Sequence, residues 1–334
     1  PEINPALENV GTGFAAFLSP PGPEVIRFTV GQPDFDTPLP IVEEAKAALD
    51  RGETAYTRTQ GSVELCQAVA EHLTIHNIKA NPDDVVVTPG CKQAVLYAMM
   101  ATLEADDEVL LLSPAWPSYD GMLKLLNCVP VHVPVRRDNY HPDFNALEAA
   151  VTSKTKAIML NSPNNPTGAV YTPEEIQQLL DFATKHDLWI IDDMIYATLA
   201  WTDYPYTSPS SLPGGAERTI TIGGWSKGWA MTGWRLGWIT GPKRVMDGVK
   251  KVNVSAATHV ATFMMPAATV ALGLKEETAM MAASFKERRG IIHKLLMDLP
   301  GVIVPEPEGA FYALCDIKGL SLIHISEPTR LHGI

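Results

Sequence analysis

The chain has 334 residues, 46% of them hydrophobic and 19% charged, so it can bury a large core and is long enough for about two domains. Its net charge of −12 argues against a nucleic-acid partner held by bulk electrostatics, and no run approaches the roughly 18 consecutive apolar residues of a membrane span. The four cysteines form no CxxC pair, which argues against a zinc site or a disulfide framework and favours a reducing, cytoplasmic compartment. No signal peptide is visible, but the chain also lacks an initiator Met, so a transit segment could be missing.

Helical and strand patterns alternate from about residue 41 onward. The pattern predicts helices over residues 40–49, 91–104 and 119–126 and one that starts at the capping box of residues 172–175, and strands over residues 84–88, 108–112, 129–135, 156–160 and 188–191. Strands that alternate with helices build right-handed βαβ units, so we expect an α/β fold with a mostly parallel sheet sandwiched by helices. In such sheets ligands bind beyond the carboxyl ends of the strands, and here those ends carry polar and turn residues.

The pattern changes after about residue 245, where longer helices take over. Residues 278–298 predict one long amphipathic helix, and residues 302–304 and 310–314 are typical of two short strands separated by prolines. We therefore expect a second, smaller α+β unit at this end of the chain.

Three local patterns are weak signals of a ligand site. Residues 11–16 match GxGxxA but follow no strand, so a loop before a helix is a better interpretation than a dinucleotide site. His72 and His76 share a helix face at i, i+4 spacing, yet no third ligand is evident, and a solvated helix face is favoured over a metal site. Four nearby tryptophans favour core or interface packing over an aromatic ligand wall: Trp225, Trp229, Trp234 and Trp238.

The strong signal is a set of short motifs in one order along the chain. They are GQPDF at residues 31–35, PGCKQA at 89–94, NSPNNPTG at 161–168, DMIY at 193–196, WSK at 225–227 and MTGWRLG at 231–237. Together they resemble the class I and II aminotransferases of the aspartate aminotransferase superfamily, fold type I, from about residue 25 to about residue 318. The resemblance implies pyridoxal 5'-phosphate (PLP) as cofactor, no metal, and ping-pong transfer of an amino group from an L-amino acid to a 2-oxo acid.

The resemblance implies specific catalytic roles. Lys227 corresponds to the lysine whose amine forms an imine with the cofactor aldehyde and, once substrate displaces it, acts as general base at the substrate α-carbon. Asp193 corresponds to the carboxylate that keeps the pyridine nitrogen protonated by charge pairing, while Asp192 would face the other side of the strand. Tyr196 and Asn165 correspond to the pair that hydrogen-bonds the cofactor's phenolic oxygen, and Asn165 also lies next to substrate.

The cofactor phosphate needs fixed hydrogen-bond donors. Gly90, Cys91 and Lys92 open a helix directly after a strand, where free backbone N–H groups and the helix dipole can hold an anion. By resemblance, Arg235 is the phosphate arginine, whose planar fork suits a bidentate contact, and Ser226 is a weaker candidate for the same phosphate. The Lys92 side chain fits solvent as well as it fits a ligand.

Three further residues complete the implied site. Trp116 corresponds to the aromatic side chain that stacks on the pyridine ring, and Gly31 corresponds to the glycine that closes over substrate. Tyr56 corresponds to the tyrosine that reaches the phosphate of the partner subunit. This last correspondence implies a homodimer whose site is completed across a two-fold interface.

The resemblance also implies a domain organisation. We expect a large cofactor domain at residues 41–275 and a partial small domain built from residues 1–40 and 276–319. Residues 320–334 look like the translation of a sequencing adapter, and we interpret them as a non-native tail on a truncated gene. In the family, the arginine that binds the substrate α-carboxylate comes after the segment that matches EGAFY at residues 308–312, and we find no counterpart here.

Three alternatives to transamination remain open from the sequence. The same fold supports eliminations, as in a C–S lyase or a cyclopropane-carboxylate synthase. It also occurs as a non-catalytic effector-sensing module, against which the complete set of site residues argues, and the third alternative is an inert truncated fragment. The substrates cannot be read directly, although the contexts of Trp116 and of residues 232–235 favour the aspartate, prephenate and aromatic branch of the family.

Overall fold

The computed structural model describes Phe28 and residues 30–319. In this part of the chain the α-helices are α1 Leu39–Asp50, α2 Val63–Leu73, α3 Cys91–Thr102, α4 Pro117–Leu125, α5 Phe144–Ala150, α6 Pro173–Lys185, α7 Lys243–Ala256, α8 Met264–Gly273 and α9 Lys275–Met297. The strands are β1 Val85–Thr88, β2 Glu108–Ser113, β3 Val129–Pro134, β4 Thr155–Asn161, β5 Trp189–Asp193, β6 Thr219–Gly224 and β7 Gly237–Thr240. None of these described helices is both long and apolar enough to cross a membrane. The GxGxxA pattern at residues 11–16 and the proposed tail at residues 320–334 lie outside the described residues.

The strands form one sheet in the order β1-β7-β6-β5-β4-β2-β3. Neighbouring strands from β2 to β6 pair in parallel, whereas β7 is antiparallel to both of its neighbours, β1 and β6. The prediction of an α/β fold with a mostly parallel sheet is therefore confirmed. The sequence analysis did not include β7, which runs in the opposite direction because the chain turns back after β6 through a 3₁₀ turn at Thr232–Trp234.

The central strands are buried because helices cover both faces of the sheet. Every residue of β1 and of β6 is buried. One face shares a core with α3, α4 and α7, and the other shares a core with α5 and α6. A third core, around Trp225, joins α1, α2 and α8. The ends of the strands are therefore held in place by densely packed cores.

Helix starts follow the capping rules. The Thr172 hydroxyl accepts a hydrogen bond from the Glu175 N–H and the Glu175 side chain accepts one from the Thr172 N–H, which confirms the predicted capping box at the start of α6. The sequence analysis did not include α2 or α5, although each has a side-chain cap. Ser62 accepts from the Leu65 N–H at the start of α2, and Asp143 caps α5 in the same way.

The prediction of two strands, at residues 302–304 and 310–314, is wrong. In this described region the chain forms only isolated bridges, which pair Ile303 with Asp316 and Ala200 with Gly309. The intervening prolines lack the N–H groups that a ladder needs, and Ala310 has a φ of 56°, which turns the chain out of an extended path. The long helix α9 is therefore followed by an irregular segment, residues 298–319.

Candidate active site

Three parallel strands end side by side at one edge of the sheet. Asn161, at the end of β4, is paired with Asp193 at the end of β5, and Asp193 is paired with Ile222 of β6. The Asn161 Nδ2 donates to the backbone oxygen of Asp193 over 2.8 Å. Strand β6 ends at Gly224, and Lys227 follows three residues later. The carboxyl ends of the strands therefore bring Asp193 and Lys227 to the same edge, as the sequence predicts.

The Asp193 carboxylate is buried and oriented by two donors. The Tyr119 hydroxyl donates to Oδ2 over 2.7 Å, and the Ile195 N–H donates to Oδ1 over 3.2 Å. Burial nevertheless raises the pKa of Asp193 to about 6. Asp192 faces away from Tyr119, as predicted: the Ser208 hydroxyl donates to its Oδ2 over 2.5 Å, and burial raises its pKa to about 7. A cationic partner beside Asp193 would offset the cost of burying its charge.

The Lys227 amine lies in the loop after β6, next to the buried Ser226. Its Nζ donates to the backbone oxygen of Gly31 over 2.5 Å. Burial lowers the pKa of Lys227 to about 8, and the charge of Arg235 acts in the same direction. An amine with this pKa is partly unprotonated near neutral pH, so it can act as a nucleophile or as a base.

The Tyr196 hydroxyl meets two other side chains. The Asn165 Nδ2 donates to it over 3.4 Å, so the structure brings the predicted pair together. The Tyr312 hydroxyl lies 2.6 Å from the Tyr196 hydroxyl. A Cβ placed on Gly31 would lie 2.0 Å from the Tyr312 hydroxyl oxygen, which explains why residue 31 is a glycine. Tyr312 therefore belongs to the site, although the sequence analysis did not assign it.

The start of α3 forms a cradle for an anion. Gly90 has a φ of 87°, and a Cβ there would lie 2.4 Å from the Arg235 Nη2, so a side chain at residue 90 would displace the guanidinium. A Cβ on Gly237 would lie 2.4 Å from the Cys91 backbone nitrogen. The backbone N–H groups at the start of α3 and the guanidinium of Arg235 lie together here and form a donor set suited to one phosphate group. The Cys91 thiol donates to the backbone oxygen of Gly223 over 2.7 Å.

The Trp116 side chain lies at this edge of the sheet. Within a single chain, the Tyr56 side chain does not. The Trp116 ring centroid lies 5.2 Å from that of Tyr119, and the Lys92 Nζ lies 5.0 Å from the Trp116 ring centroid. Burial lowers the pKa of Lys92, and Arg235 does so too. Tyr56 is 90% exposed, and its ring lies edge to face with that of His259, with 5.6 Å between the centroids.

The structure corrects the interpretation of His72 and His76. The His72 ring packs 5.4 Å from Trp229 and the His76 ring packs 5.0 Å from Tyr206, measured between centroids. Burial lowers the pKa of each histidine to about 4, so neither lies on a solvated helix face. Residues 30–319 contain no group of three or more His, Cys, Asp or Glu residues placed to hold a metal ion. The tryptophans pack into or against the core, as predicted: Trp225, Trp229, Trp234 and Trp238.

Known proteins similar to this chain agree on one family. The sequence profile of the family "Aminotransferase class I and II" matches residues 23–326. The chain belongs to this family. A relative from Petunia hybrida, the "bifunctional aspartate aminotransferase and glutamate/aspartate-prephenate aminotransferase", is 38% identical to this aminotransferase over 323 residues, which are 95% of this chain and 67% of the relative.

Solved aminotransferase structures share the fold. The crystal structure of the Rhizobium meliloti aspartate aminotransferase has a TM-score of 0.90 and 32% identity, and the match covers 96% of this chain and 83% of that chain. The aromatic aminotransferase from Pyrococcus horikoshii has a TM-score of 0.86 and 39% identity, with 91% of this chain and 83% of that chain covered. This chain is therefore an aminotransferase of fold type I, and its reaction is PLP-dependent transamination.

Two functional residues of this aminotransferase were missed from the sequence. Tyr119 lies near Trp116 in the chain but looks like an ordinary core residue of α4, which it also is. Tyr312 lies in the EGAFY segment, and that match was a signal that could have identified it. Both act through their hydroxyl groups, and only the packing of distant segments shows where those groups point.

Proposed function

We propose that this aminotransferase binds PLP at the carboxyl edge of the sheet, between Lys227 and Asp193. The observation that carries the proposal is the combination of a buried carboxylate at the end of β5 and an amine of lowered pKa just after β6, beside an anion cradle that a Cβ at residue 90 would fill. When bound, the cofactor supplies an electron sink for the bonds at the substrate α-carbon. The residues at this edge of the sheet offer a partner for each polar group of the cofactor.

Each end of the cofactor has its own protein partners in this proposal. The N–H groups at the start of α3 and the guanidinium of Arg235 bind the phosphate, and Ser226 adds a hydroxyl. Asp193 binds the protonated pyridine nitrogen, and the Tyr119 hydroxyl holds this carboxylate in place. Tyr196 and Asn165 bind the phenolic oxygen, and Trp116 covers the ring face.

Lys227 moves the proton in the chemical step. Its amine takes a proton from the substrate α-carbon as a general base and would deliver it to the cofactor carbon within the same half-reaction, and the second half-reaction runs this transfer in reverse. Burial lowers the pKa of Lys227 to about 8, which brings the two protonation states of the amine closer in free energy near neutral pH than they are for an exposed lysine. The Gly31 oxygen accepts from this amine and holds it at the mouth of the site.

The substrates are an amino acid and a 2-oxo acid, and we propose that they come from the acidic and aromatic classes. Support comes from the relatives, whose names specify aspartate, prephenate and aromatic amino acids. These relatives are all named aminotransferases, which favours transamination over the elimination reactions of the same fold. A panel of amino donors with 2-oxoglutarate tests this directly, with product analysis in the presence and absence of the oxo acid.

We also propose that the active form is a homodimer. Tyr56 supports it, because a large aromatic side chain that is 90% exposed in one chain is suited to burial against a partner subunit. Sedimentation of the parent and of the Tyr56→Phe variant, together with their PLP affinities, tests the proposal. A monomer with full PLP affinity would contradict it.

Two further expectations stay proposals. The division into a cofactor domain at residues 41–275 and a small domain from residues 1–40 and 276–319 is supported by the change to helix α9 and the irregular segment that follows it. A reducing, cytoplasmic location is supported by the four cysteines, all of which are free: Cys66, Cys91, Cys128 and Cys315.

A visible absorption spectrum tests the cofactor site. The purified chain with added PLP is recorded before and after addition of glutamate or aspartate, beside the Lys227→Ala variant. We expect a band that requires Lys227 and changes when the amino acid is added. The matched control is Lys243→Ala, which removes an exposed lysine paired with Asp247 and leaves the band unchanged. A folded parent chain with no Lys227-dependent band would overturn the proposal.

A further inference from the structure

A buried histidine outside the cofactor site joins two carboxylates. The His141 Nδ1 lies 2.6 Å from Glu175 Oε2, and its Nε2 lies 2.9 Å from Glu308 Oε2. Because ionised carboxylates only accept hydrogen bonds, both ring nitrogens donate and the ring is an imidazolium. Burial opposes this charge, but Glu175 and Glu308 together raise the pKa of His141 to about 9. His141 therefore forms a charged bridge between α6 and the irregular segment 298–319.

The Glu175 end of the bridge is anchored to the large domain. Glu175 is the third residue of α6, and its Oε2 also accepts the Thr172 N–H over 3.0 Å as half of the capping box. The Arg136 Nη2 donates to Glu175 Oε1 over 3.0 Å. This carboxylate is therefore held by a helix start that is itself packed on the sheet.

The Glu308 end of the bridge holds the irregular segment. Glu308 Oε2 also accepts the Val170 N–H over 2.8 Å. The backbone N–H groups of Glu308 and Gly309 both donate to the Gly168 oxygen, over 2.9 and 2.8 Å. Glu308 thus ties its segment to the Asn- and Pro-rich loop after β4, although no strand ladder forms there.

The same segment leads directly into the cofactor site. Four residues after Glu308, the Tyr312 hydroxyl lies 2.6 Å from that of Tyr196 and occupies the space beside Gly31. The Gly31 oxygen in turn accepts from the Lys227 amine over 2.5 Å. A shift of the segment at Glu308 would therefore move Tyr312 relative to both Tyr196 and Gly31.

We propose that the His141 bridge positions Tyr312 against Tyr196 and Gly31, and so sets the hydrogen bonds around Tyr196 and Lys227. The inference rests on the proposed function, because these hydrogen bonds matter for catalysis only if the cofactor binds between Lys227 and Asp193. His141 touches neither Tyr196 nor Lys227, so it is a positioning residue. Its two carboxylate partners belong to different parts of the fold, which is why one side chain can couple them.

The bridge depends on pH in a defined direction. Glu175 from α6 and Glu308 from the irregular segment are the charged groups that face the ring. Behind them lie Arg136, bound to Glu175, and Tyr204, whose hydroxyl is 3.5 Å from Glu308 Oε1; the Tyr171 ring centroid lies 5.8 Å from that of His141. The imidazolium is present at neutral pH and is lost as the pH rises through about 9.

Hydrogen exchange of the segment tests the bridge without any cofactor. The Gly309 and Ala310 amides, which donate to Gly168 and Leu199, report on its docking. In the His141→Gln variant, which keeps one donor but no charge, we expect these amides to exchange roughly 10-fold faster at pH 7. The difference from the parent closes as the pH rises through about 9, because the parent ring then loses its charge as well.

The matched control is a second histidine that is also close to a carboxylate and lies at the other end of α6 from Glu175. His186, at the end of α6, lies 3.1 Å from a carboxylate oxygen of Glu148 but has no link to the irregular segment. His186→Gln therefore leaves the exchange of Gly309 and Ala310 unchanged. Glu308→Gln breaks the bridge from the other side and reproduces the effect of His141→Gln.

Kinetics and spectra of the PLP-loaded enzyme test positioning. We expect His141→Gln to lower kcat by roughly 10-fold with a smaller change in KM, since a small misplacement of site groups affects the chemical step most. The pH midpoint of the cofactor's visible band shifts by about half a unit, because Tyr196 changes its hydrogen bonding. A purely structural role would lower the amount of folded enzyme and leave this midpoint in place.

The outcomes separate the two proposals. Faster exchange together with an unchanged kcat and an unchanged midpoint would overturn positioning, and unchanged exchange would overturn the bridge itself. If the parent chain shows no Lys227-dependent band, the proposed function fails and the catalytic half of this inference fails with it. The exchange experiment still decides the bridge in that case, because it needs no cofactor.

Discussion

Asp193 and Lys227 lie at the ends of strands β5 and β6, whereas Gly31 and Tyr312 lie on segments without regular secondary structure. The first pair is positioned by backbone register, since Asn161 of β4, Asp193 and Ile222 of β6 are paired across the sheet. The second pair depends on a few side-chain hydrogen bonds and two isolated bridges. We call the first pair the strand half of the site and the second pair the irregular half. In the proposed function, the residues that bind the cofactor ring belong to the strand half, and the irregular half is the part that can adjust.

The two halves of the site differ in how firmly the surrounding side chains hold them. Each strand end is surrounded by buried side chains on both faces of the sheet, so displacing it would expose core. Displacing the irregular segment breaks the hydrogen bonds around Glu308 and Tyr312 and only a small apolar cluster, in which Ala310 and Phe311 pack against Phe285. We therefore expect substitutions in the strand half to abolish chemistry and substitutions in the irregular half to tune it.

The largest effect is expected for Asp193→Asn in the strand half. The substitution keeps the shape but removes the charge that holds the pyridine nitrogen protonated, so kcat falls by about 10²- to 10⁴-fold. Steady-state kinetics with saturating PLP measure the loss. Asp192→Asn is the matched control one residue earlier on β5, and it stays within about twofold of the parent because Asp192 bonds to Ser208 outside the site. Equal losses in the two variants would break the assignment.

The next largest effect is expected for a substitution of Gly90, which lies in the anion cradle at the start of α3. Gly90→Ala places a Cβ 2.4 Å from the Arg235 Nη2 on a backbone with a φ of 87°, so Arg235 must move. PLP affinity, measured by titration of the visible band, falls by at least about 10-fold, and stability drops by about 1–2 kcal/mol. Gly121→Ala is the control, because nothing lies within 4 Å of the added Cβ in α4. Unchanged PLP affinity in Gly90→Ala would mean that the phosphate binds elsewhere.

A smaller effect is expected in the irregular half. Tyr312→Phe removes the hydroxyl that lies 2.6 Å from that of Tyr196 while keeping the ring. One hydrogen bond contributes about 0.5–1.5 kcal/mol, so kcat falls about 2- to 10-fold and PLP stays bound. Tyr97→Phe is the control, because it removes the hydroxyl of a buried tyrosine of α3 that packs in the core beneath the sheet and does not contact Tyr196. A loss as large as that of Asp193→Asn would show that the two halves do not differ as proposed.

Asp192 should affect stability rather than turnover. Its pKa is near 4 in the unfolded chain and about 7 in the folded chain, so between these values the folded protein retains a proton that the unfolded chain has lost. This group therefore makes the free energy of unfolding fall as the pH rises from about 4 to about 7. Asp192→Asn removes this loss of stability with rising pH. The urea midpoint of the variant minus that of the parent should therefore increase from pH 4 to pH 8. A pH-independent difference would show that Asp192 is ionised in the folded chain even at low pH.

Local rules predicted most of the regular elements, and the family resemblance proposed the strand half of the site. The alternation of apolar strands and helices, the Pro89-Gly90 turn and the capping box at Thr172 each involve residues close in sequence, and each is present in the structure. The strands expected after α9 failed because prolines and the positive φ of Ala310 outweighed their apolar pattern. His72 and His76 were misjudged because burial depends on Trp229 and Tyr206, which lie far along the chain.

The sequence by itself determined the fold class and the motif order, because these depend on residue types at short spacing. Through the resemblance that the motifs carry, it also proposed Lys227, Asp193, Tyr196 and Arg235 as site residues. Only the tertiary structure decided that Tyr119 orients Asp193, that Tyr312 meets Tyr196, and that His141 ties the irregular segment to α6. The sequence separations of these pairs are 74, 116 and 167 residues. No local pattern encodes such contacts, because they form only when packing of the whole sheet brings distant side chains together.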